Sequence, residues 1–310
     1  MHFIGIFNRD GGTFRTMDMD AFSARAVAAF AAHGHTLDIR VIGGDALIAA
    51  LEGAAADRSA EALLVGGGDG TISSAAEVCF RTGTPLAVLP AGTMNLFARS
   101  LGVPLDLDEA LEALAAGAPR GVDIATANGR PFVHQYAVGI HTRLVRMREQ
   151  LAYRSRWGKI IASGRAILRA VASPPVFIAE IATARGLERR KATGISVTNN
   201  PIAEGHVPYA DSLDGGVLGV YLLRPLKPFA LARFCLDVVL GRWKHTPQVS
   251  EKEVTQVTLS FPRRKPGGHA LLDGELIDLV DAVELRIHPG ALNIVAPEVR
   301  APMPLAQVAA

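Results

Sequence analysis

Short apolar runs alternate with helical stretches over the first 120 residues. Residues 3–7, 37–42, 63–65 and 86–89 are apolar runs, while 20–32, 45–51 and an Ala-rich stretch after Thr71 read as helices. Repetition of strand and helix predicts a parallel sheet with helices on both faces and binding loops at the carboxyl ends of the strands. After Val122 the pattern changes to β-type runs at 132–138, 176–183, 194–198, 217–223, 254–259 and 283–287. Asn128-Gly129, Asp214-Gly215-Gly216 and Pro266-Gly267-Gly268 punctuate them as turns, which predicts a mainly antiparallel second domain. Two helical patterns, 143–172 and 228–240, interrupt it.

The expected fold is therefore an α/β N-terminal domain with a Rossmann-like parallel sheet, followed by a C-terminal β-rich, β-sandwich-like domain. Boundaries fall at 1–122 and 123–290, with 291–310 a C-terminal segment returning to the first domain. The length of 310 residues, 49% hydrophobic and 20% charged, is enough for two cores. A formal charge of +2 makes no global demand for a polyanionic partner. Cys79 and Cys235 are the only cysteines and lack zinc-ligand spacing, as expected in a reducing compartment. Residues 1–10 lack the basic-then-apolar pattern of a secretion signal, and no apolar run reaches the roughly 18 residues that span a bilayer. The expected location is cytoplasmic, soluble or peripheral to the inner face of the membrane.

The strongest chemical signal is Leu63-Leu64-Val65-Gly66-Gly67-Gly68-Asp69-Gly70-Thr71, an apolar strand ending in glycines before a helix. Bare backbone N–H groups and a helix N-terminus together suit a polyphosphate. Asp69 is then placed to bind Mg²⁺, which takes few carboxylates and keeps phosphate oxygens and water as its other ligands. The loop is not a Walker A sequence, because Gly-Lys-Ser/Thr is absent. A second loop, residues 89–99, follows the next strand and opens at the same sheet edge, with Gly92, Thr93 and Asn95 available to phosphate or ribose. The plainer alternative for this loop is a helix capped by Thr93 with Phe97 in the core. Asp273-Gly274-Glu275 lies between apolar runs, as a hairpin turn would.

Gly67-Gly68-Asp69-Gly70-Thr71, the 90–99 segment and Asp273-Gly274-Glu275 together resemble the diacylglycerol kinase catalytic-domain family, which includes bacterial lipid kinases and the sphingosine and ceramide kinases. Weaker correspondences at 8–13, which include Asn8 and Gly11, at Asn199-Asn200, at 208–210 and at Asp214-Gly215 extend the resemblance over nearly the whole chain. The resemblance implies ATP bound in an interdomain cleft and transfer of its γ-phosphoryl group to a lipid hydroxyl. It implies Glu275 as general base, with Asp273 supporting it or the metal; related sphingosine kinases give an acid-base role to the match of Asp69. It also implies a second, structural Mg²⁺ at Asp214, with carbonyls of Asp211 and Gly216 completing the shell. Asn95-Leu96 stands where family members often have Asn-Asp, so one aspartate of a proposed catalytic pair is missing, although Asp123 matches its partner. Ser73, Ser74 and Arg40 are further departures in the nucleotide region.

Residues 143–172 carry eight basic side chains against Glu149 alone, interleaved with Trp157, Ile160, Ile161, Ile167 and Leu168. Such a segment suits an interfacial helix on anionic lipid, or a solvated helix packed on the second domain. Residues 229–243 form a second amphipathic stretch, either core or the lining of a lipid entrance. No nucleic-acid motif accompanies the basic charge. The reading is an ATP- and Mg²⁺-dependent kinase of a diacylglycerol-like lipid at an anionic membrane surface, with no nucleic-acid partner and room for a homodimer. The alternatives are a sphingoid-base or ceramide kinase, a soluble-substrate kinase resembling NAD kinase, and a catalytically weak lipid-binding scaffold.

Overall fold

Four of the apolar runs become the strands of a parallel sheet: β1 (His2–Asn8), β2 (Thr36–Ile42), β3 (Ala62–Gly67) and β4 (Leu86–Pro90). In the computed structural model, which describes residues 1–150, 174–203, 209–239, 243, 246–263 and 267–297, their order is β2-β1-β3-β4. Every pairing is parallel, and Ile294 and Val295 add a further parallel partner to β4. β3 and β4 are buried along their whole length, whereas β2 at the edge alternates and exposes half its residues. A strand with helices on both faces must be apolar on both sides, and an edge strand need not be.

Helices α1 (Met19–Ala32), α2 (Leu47–Ala55), α3 (Asp69–Thr82), α4 (Leu96–Ser100) and α5 (Leu107–Ala115) connect the strands. Asp18 caps α1 by accepting the Asp20 and Ala21 N–H groups. Asp106 caps α5 in the same way through Asp108 and Glu109. Each cap satisfies donors that a first helical turn leaves open, a contribution of about 1 kcal/mol. Helix α5 is not among the elements predicted above, although its aspartate cap and Leu107, Leu111 and Leu114 spacing mark it. Phe7, Phe14 and Phe22 meet ring to ring at 5.4–5.7 Å in the core beneath the first loop.

The chain divides into two units, Met1–Gly121 together with the chain from Leu292, and Val122–Ala291. The second unit is built from antiparallel strands, as the period-two pattern predicts. One six-stranded sheet runs β12 (Val249–Val254), β11 (Leu218–Leu223), β10 (Gly194–Asn199), β7 (Gln135–Gly139), β14 (His269–Leu272), β15 (Glu275–Asp278). Opposite it, β13 (Gln256–Ser260) pairs with β8 (Phe177–Thr183) and with the Ala282–Arg286 portion of β16 (Ala282–Ala296), and β8 pairs with β9 (Gly186–Ala192). Tyr136, Val138, Ile195, Val197 and Leu272 from the first sheet and Ile181, Leu259, Phe261 and Leu285 from the second bury one shared core. This is the sandwich arrangement, with each strand contributing alternate residues.

Several strands differ from the runs the sequence predicts. The predicted run 254–259 is two strands, β12 ending at Val254 and β13 beginning at Gln256. No apolar run predicts β9, because Gly186–Ala192 is an edge strand carrying Glu188, Arg189, Arg190 and Lys191. Helix α6 (Ile140–Gln150) begins the predicted helix 143–172, and residues 151–172 lie outside the described residues. No helix among the described residues is long and apolar enough to cross a membrane.

Candidate functional site

Three loops follow β1, β3 and β4, neighbours in the parallel sheet. β3 carries Gly66 and Gly67 as its last residues, and α3 starts at Asp69. A Cβ on Gly66 would lie 2.7 Å from Phe14, and one on Gly67 would lie 2.6 Å from Thr71. These two glycines therefore seat Phe14 and Thr71 rather than line open space. Thr71 is buried, and its Oγ1 accepts a hydrogen bond from Asn8 Nδ2 at 3.0 Å, linking the end of β1 to the first turn of α3. Gly70, by contrast, has nothing within 4 Å of an added Cβ.

The loops touch through backbone. Gly12 has a φ of +42°, and a Cβ there would stand 1.9 Å from the Ala91 carbonyl oxygen; the Thr13 N–H donates to that same oxygen at 2.8 Å. A Cβ on Gly92 would come within 2.6 Å of Gly68 Cα and 2.8 Å of Asn95 Oδ1. Only glycine permits approaches this close. Gly11 is less constrained, with Asn8 O and Gly68 N at 3.3 and 3.4 Å.

Asp69 and Asn95 knit the second and third loops. Asp69 Oδ2 accepts the Asn95 N–H at 3.1 Å, and Oδ1 accepts the Leu96 N–H at 2.7 Å. The carboxylate thus caps α4 from 26 residues away, at the positive end of the α4 peptide dipoles. Neither Thr93, which is exposed, nor any other local side chain caps α4. Asn95 sits at φ +51°, where asparagine is tolerated. Its Oδ1 accepts the Gly92 N–H at 2.8 Å, and its Nδ2 donates to the carbonyl oxygens of Gly92 and Pro90. The Asn95 side chain is thereby engaged within its own loop.

Each Asp69 oxygen accepts one hydrogen bond, and a carboxylate oxygen can accept about two. Among the described residues no group of three or more His, Cys, Asp and Glu side chains gathers as a metal cage. Mg²⁺ held by one carboxylate with phosphate oxygens and water needs no such cage, so Asp69 fits it.

In the second unit, Asp273-Gly274 forms the two-residue turn between β14 and β15, at φ +48° and +86°. The Asp273 carboxylate accepts three consecutive backbone N–H groups, Val133 at 2.8 Å and His134 and Gln135 at 2.9 Å. It anchors the entry into β7. Glu275 is exposed, and its Oε2 accepts from Arg130 Nη2 at 2.6 Å. Arg130, unnoticed in the sequence, is delivered by the Asn128-Gly129 turn that opens β6 (Arg130–Phe132).

Asp123 is fully buried. Its Oδ2 accepts from Asn200 Nδ2 at 2.7 Å and Gly216 N at 2.6 Å, and its Oδ1 accepts the Gly290 N–H at 2.9 Å. It is a clamp for three separate segments of the second unit. Asn199 Nδ2 donates to the Asp123 carbonyl oxygen at 2.9 Å, joining the same cluster. Asp214 and Asp211 are exposed; the Asp214 carboxylate accepts the Ser212 hydroxyl, and the Gly216 N–H is the one held by Asp123. Nearby in sequence, burial together with the charge of His134 pushes the His141 pKa down to about 4.

Residues 2–127 match the Diacylglycerol kinase catalytic domain. An uncharacterized protein of Synechocystis sp. is 25% identical over 76% of this chain and 54% of its own length. The "Probable lipid kinase YegS-like" of Pseudomonas syringae pv. tomato is 37% identical over 38% of this chain and 39% of its own length. The chain thus matches about half, or less, of these relatives' lengths. A crystal structure of a diacylglycerol kinase from Bacillus anthracis str. Sterne superposes with a TM-score of 0.71 at 17% identity, over 96% of this chain and 97% of that one. That likeness establishes a shared fold. The three glycine-rich loops all lie inside the segment, residues 2–127, that matches the diacylglycerol kinase catalytic domain.

Proposed function

We propose that this protein is an ATP- and Mg²⁺-dependent lipid kinase that phosphorylates the hydroxyl of a diacylglycerol-like acceptor drawn from an anionic membrane surface. One observation carries the reading: the segment matching the catalytic domain folds so that three backbone-lined loops adjoin at the carboxyl ends of β1, β3 and β4. Polyphosphate binds such places because free N–H groups and the α3 N-terminus offer positive potential without bulky side chains.

Phosphoryl transfer asks chiefly for positioning and charge neutralisation. Gly68, Gly70 and the exposed Thr93 hydroxyl would bind the phosphates, while Asn8, Thr71 and Asn95 hold the loops in shape. Asp69 would hold Mg²⁺ through its remaining lone pairs, and the ion would neutralise charge on the phosphate oxygens. Glu275 Oε1, which has no hydrogen-bond partner among the described residues, would take the acceptor proton. As the acceptor oxygen bonds to the γ-phosphorus, the bond to the β–γ bridging oxygen breaks and ADP leaves. Asp273 keeps the Glu275 turn in place.

The test is transfer of labelled phosphate from ATP with Mg²⁺ to lipid acceptors in mixed micelles, with NAD as a soluble control. Product on a lipid that falls about 100-fold or more in Glu275→Gln supports the reading and the base. Label on NAD alone overturns it, and full turnover in Glu275→Gln removes Glu275 as base.

A further inference from the structure

The helix Pro228–Val239 of the second unit has two apolar faces, and only one of them explains why it folds. Leu231, with Phe234 and Val238, packs against Leu223, Tyr221, Val249 and Trp243. On the other side Phe229 is 85% exposed and Leu236 57% exposed. Seven residues separate them, close to two turns at about 3.6 residues per turn, so they lie in line with Ala232 and Arg233 between them. A single exposed leucine is ordinary, but an aligned stripe that includes a nearly bare phenylalanine marks a surface with a use.

Charge narrows what covers it. Arg224 and Lys227, just before the helix, and Arg233 within the stripe are all exposed. The acid on this helix, Asp237, lies 3.9 Å from Arg233 and leaves the other two cations uncompensated by it. A second copy of this chain on the same face would bring Arg233 towards its own symmetry mate, a like-charge contact. An apolar stripe rimmed by arginine and lysine matches the boundary between acyl chains and anionic headgroups, where the rings enter and the cations meet phosphate.

We propose that this face, Phe229, Ala232, Arg233 and Leu236 with Arg224 and Lys227, docks the protein on an anionic lipid bilayer. The choice of a bilayer rests on the lipid-kinase reading. None of these residues is among those assigned to phosphate, metal or proton transfer, so they contribute to where the enzyme works and not to the chemistry.

Cosedimentation of the full chain with phosphatidylcholine vesicles, with and without phosphatidylglycerol, tests it. The wild type should bind the phosphatidylglycerol vesicles, and binding should weaken with added salt. Phe229→Ser/Leu236→Ser should bind at least about tenfold more weakly, since apolar burial drives insertion. Arg224→Gln/Lys227→Gln/Arg233→Gln should lose roughly fivefold per charge and most of its salt dependence. All these residues are exposed, so both variants should keep the wild-type melting temperature. Wild-type binding to neither vesicle, or to both equally, overturns the proposal, as does unchanged binding in the Phe229→Ser/Leu236→Ser variant. A dimer that this variant splits, with vesicle binding intact, assigns the face to a second copy instead. Transfer to a short-chain acceptor dispersed in solution separates the two readings. It should stay at the wild-type rate in both variants, and its absence from the wild type would remove the kinase reading while leaving vesicle docking standing.

Discussion

Removing the Asp273 carboxylate should unfold part of the second unit rather than merely slow a reaction. Asp273→Ala deletes the acceptor of three backbone N–H groups, at 2.8, 2.9 and 2.9 Å. Hydrogen bonds to a charged group contribute about 1.5–3 kcal/mol each. Val133 is buried and its N–H loses its acceptor among the described residues, whereas half-buried His134 and Gln135 can turn partly to water. The expected net loss is therefore about 3–5 kcal/mol, below the simple sum of three bonds. Alanine at φ +48° adds about 1 kcal/mol of backbone strain, which Asp273→Gly avoids. A loss of 4 kcal/mol lowers the melting temperature of a domain this size by roughly 8–16 °C. Urea unfolding followed by circular dichroism reads the loss, and hydrogen exchange at the amides of residues 133, 134 and 135 locates it. Glu275→Ala, which breaks an exposed ion pair, should move stability by no more than about 1 kcal/mol. Unchanged midpoint and unchanged protection of the three amides in both Asp273→Ala and Asp273→Gly would show that the carboxylate is not the anchor.

Gly92→Ala should weaken binding of a non-hydrolysable ATP analogue about tenfold or more, since its Cβ would lie 2.6 Å from Gly68 Cα; calorimetric affinity equal to the wild type would mean that the two loops move apart freely. Asp69→Ala should abolish transfer and also loosen α4, whose Asn95 and Leu96 N–H groups lose their acceptor; normal turnover would exclude both roles. Because the His141 pKa is depressed from 6.5 to about 4 in the fold, the unfolded chain binds the extra proton first. Its contribution is whole above pH 6.5 and is lost as pH falls towards 4. Urea midpoints of His141→Gln should accordingly fall less steeply than wild type across that window, and parallel profiles would remove His141 from the acid response.

The parallel sheet was legible because β1, β3 and β4 are apolar on both faces, which composition alone displays. The glycine loop was legible for a related reason: successive glycines at a strand end mark a place where no side chain fits, here because Phe14, Thr71 and the Gly92 backbone come close. β9 and α5 were not, because an edge strand carrying Glu188, Arg189, Arg190 and Lys191 shows no apolar run, and a nine-residue helix declares itself mainly through its Asp106 cap. The amphipathic stretch near residue 229 was ambiguous until packing assigned Leu231 and Phe234 inward and left Phe229 and Leu236 outward.

Residue type and order therefore determined the α/β-then-β architecture and the glycine-rich loop at the end of β3. Those properties follow from local periodicity and backbone sterics, which one stretch of chain expresses by itself. Only the tertiary structure decided what each carboxylate does: Asp69 caps α4 across 26 residues, Asp273 anchors residues 133–135, and Asp123 clamps Asn200, Gly216 and Gly290. A carboxylate accepts from whichever N–H groups folding brings within about 3 Å. In these three cases the donors come from 26 to 167 residues away, a separation over which no sequence pattern specifies contact.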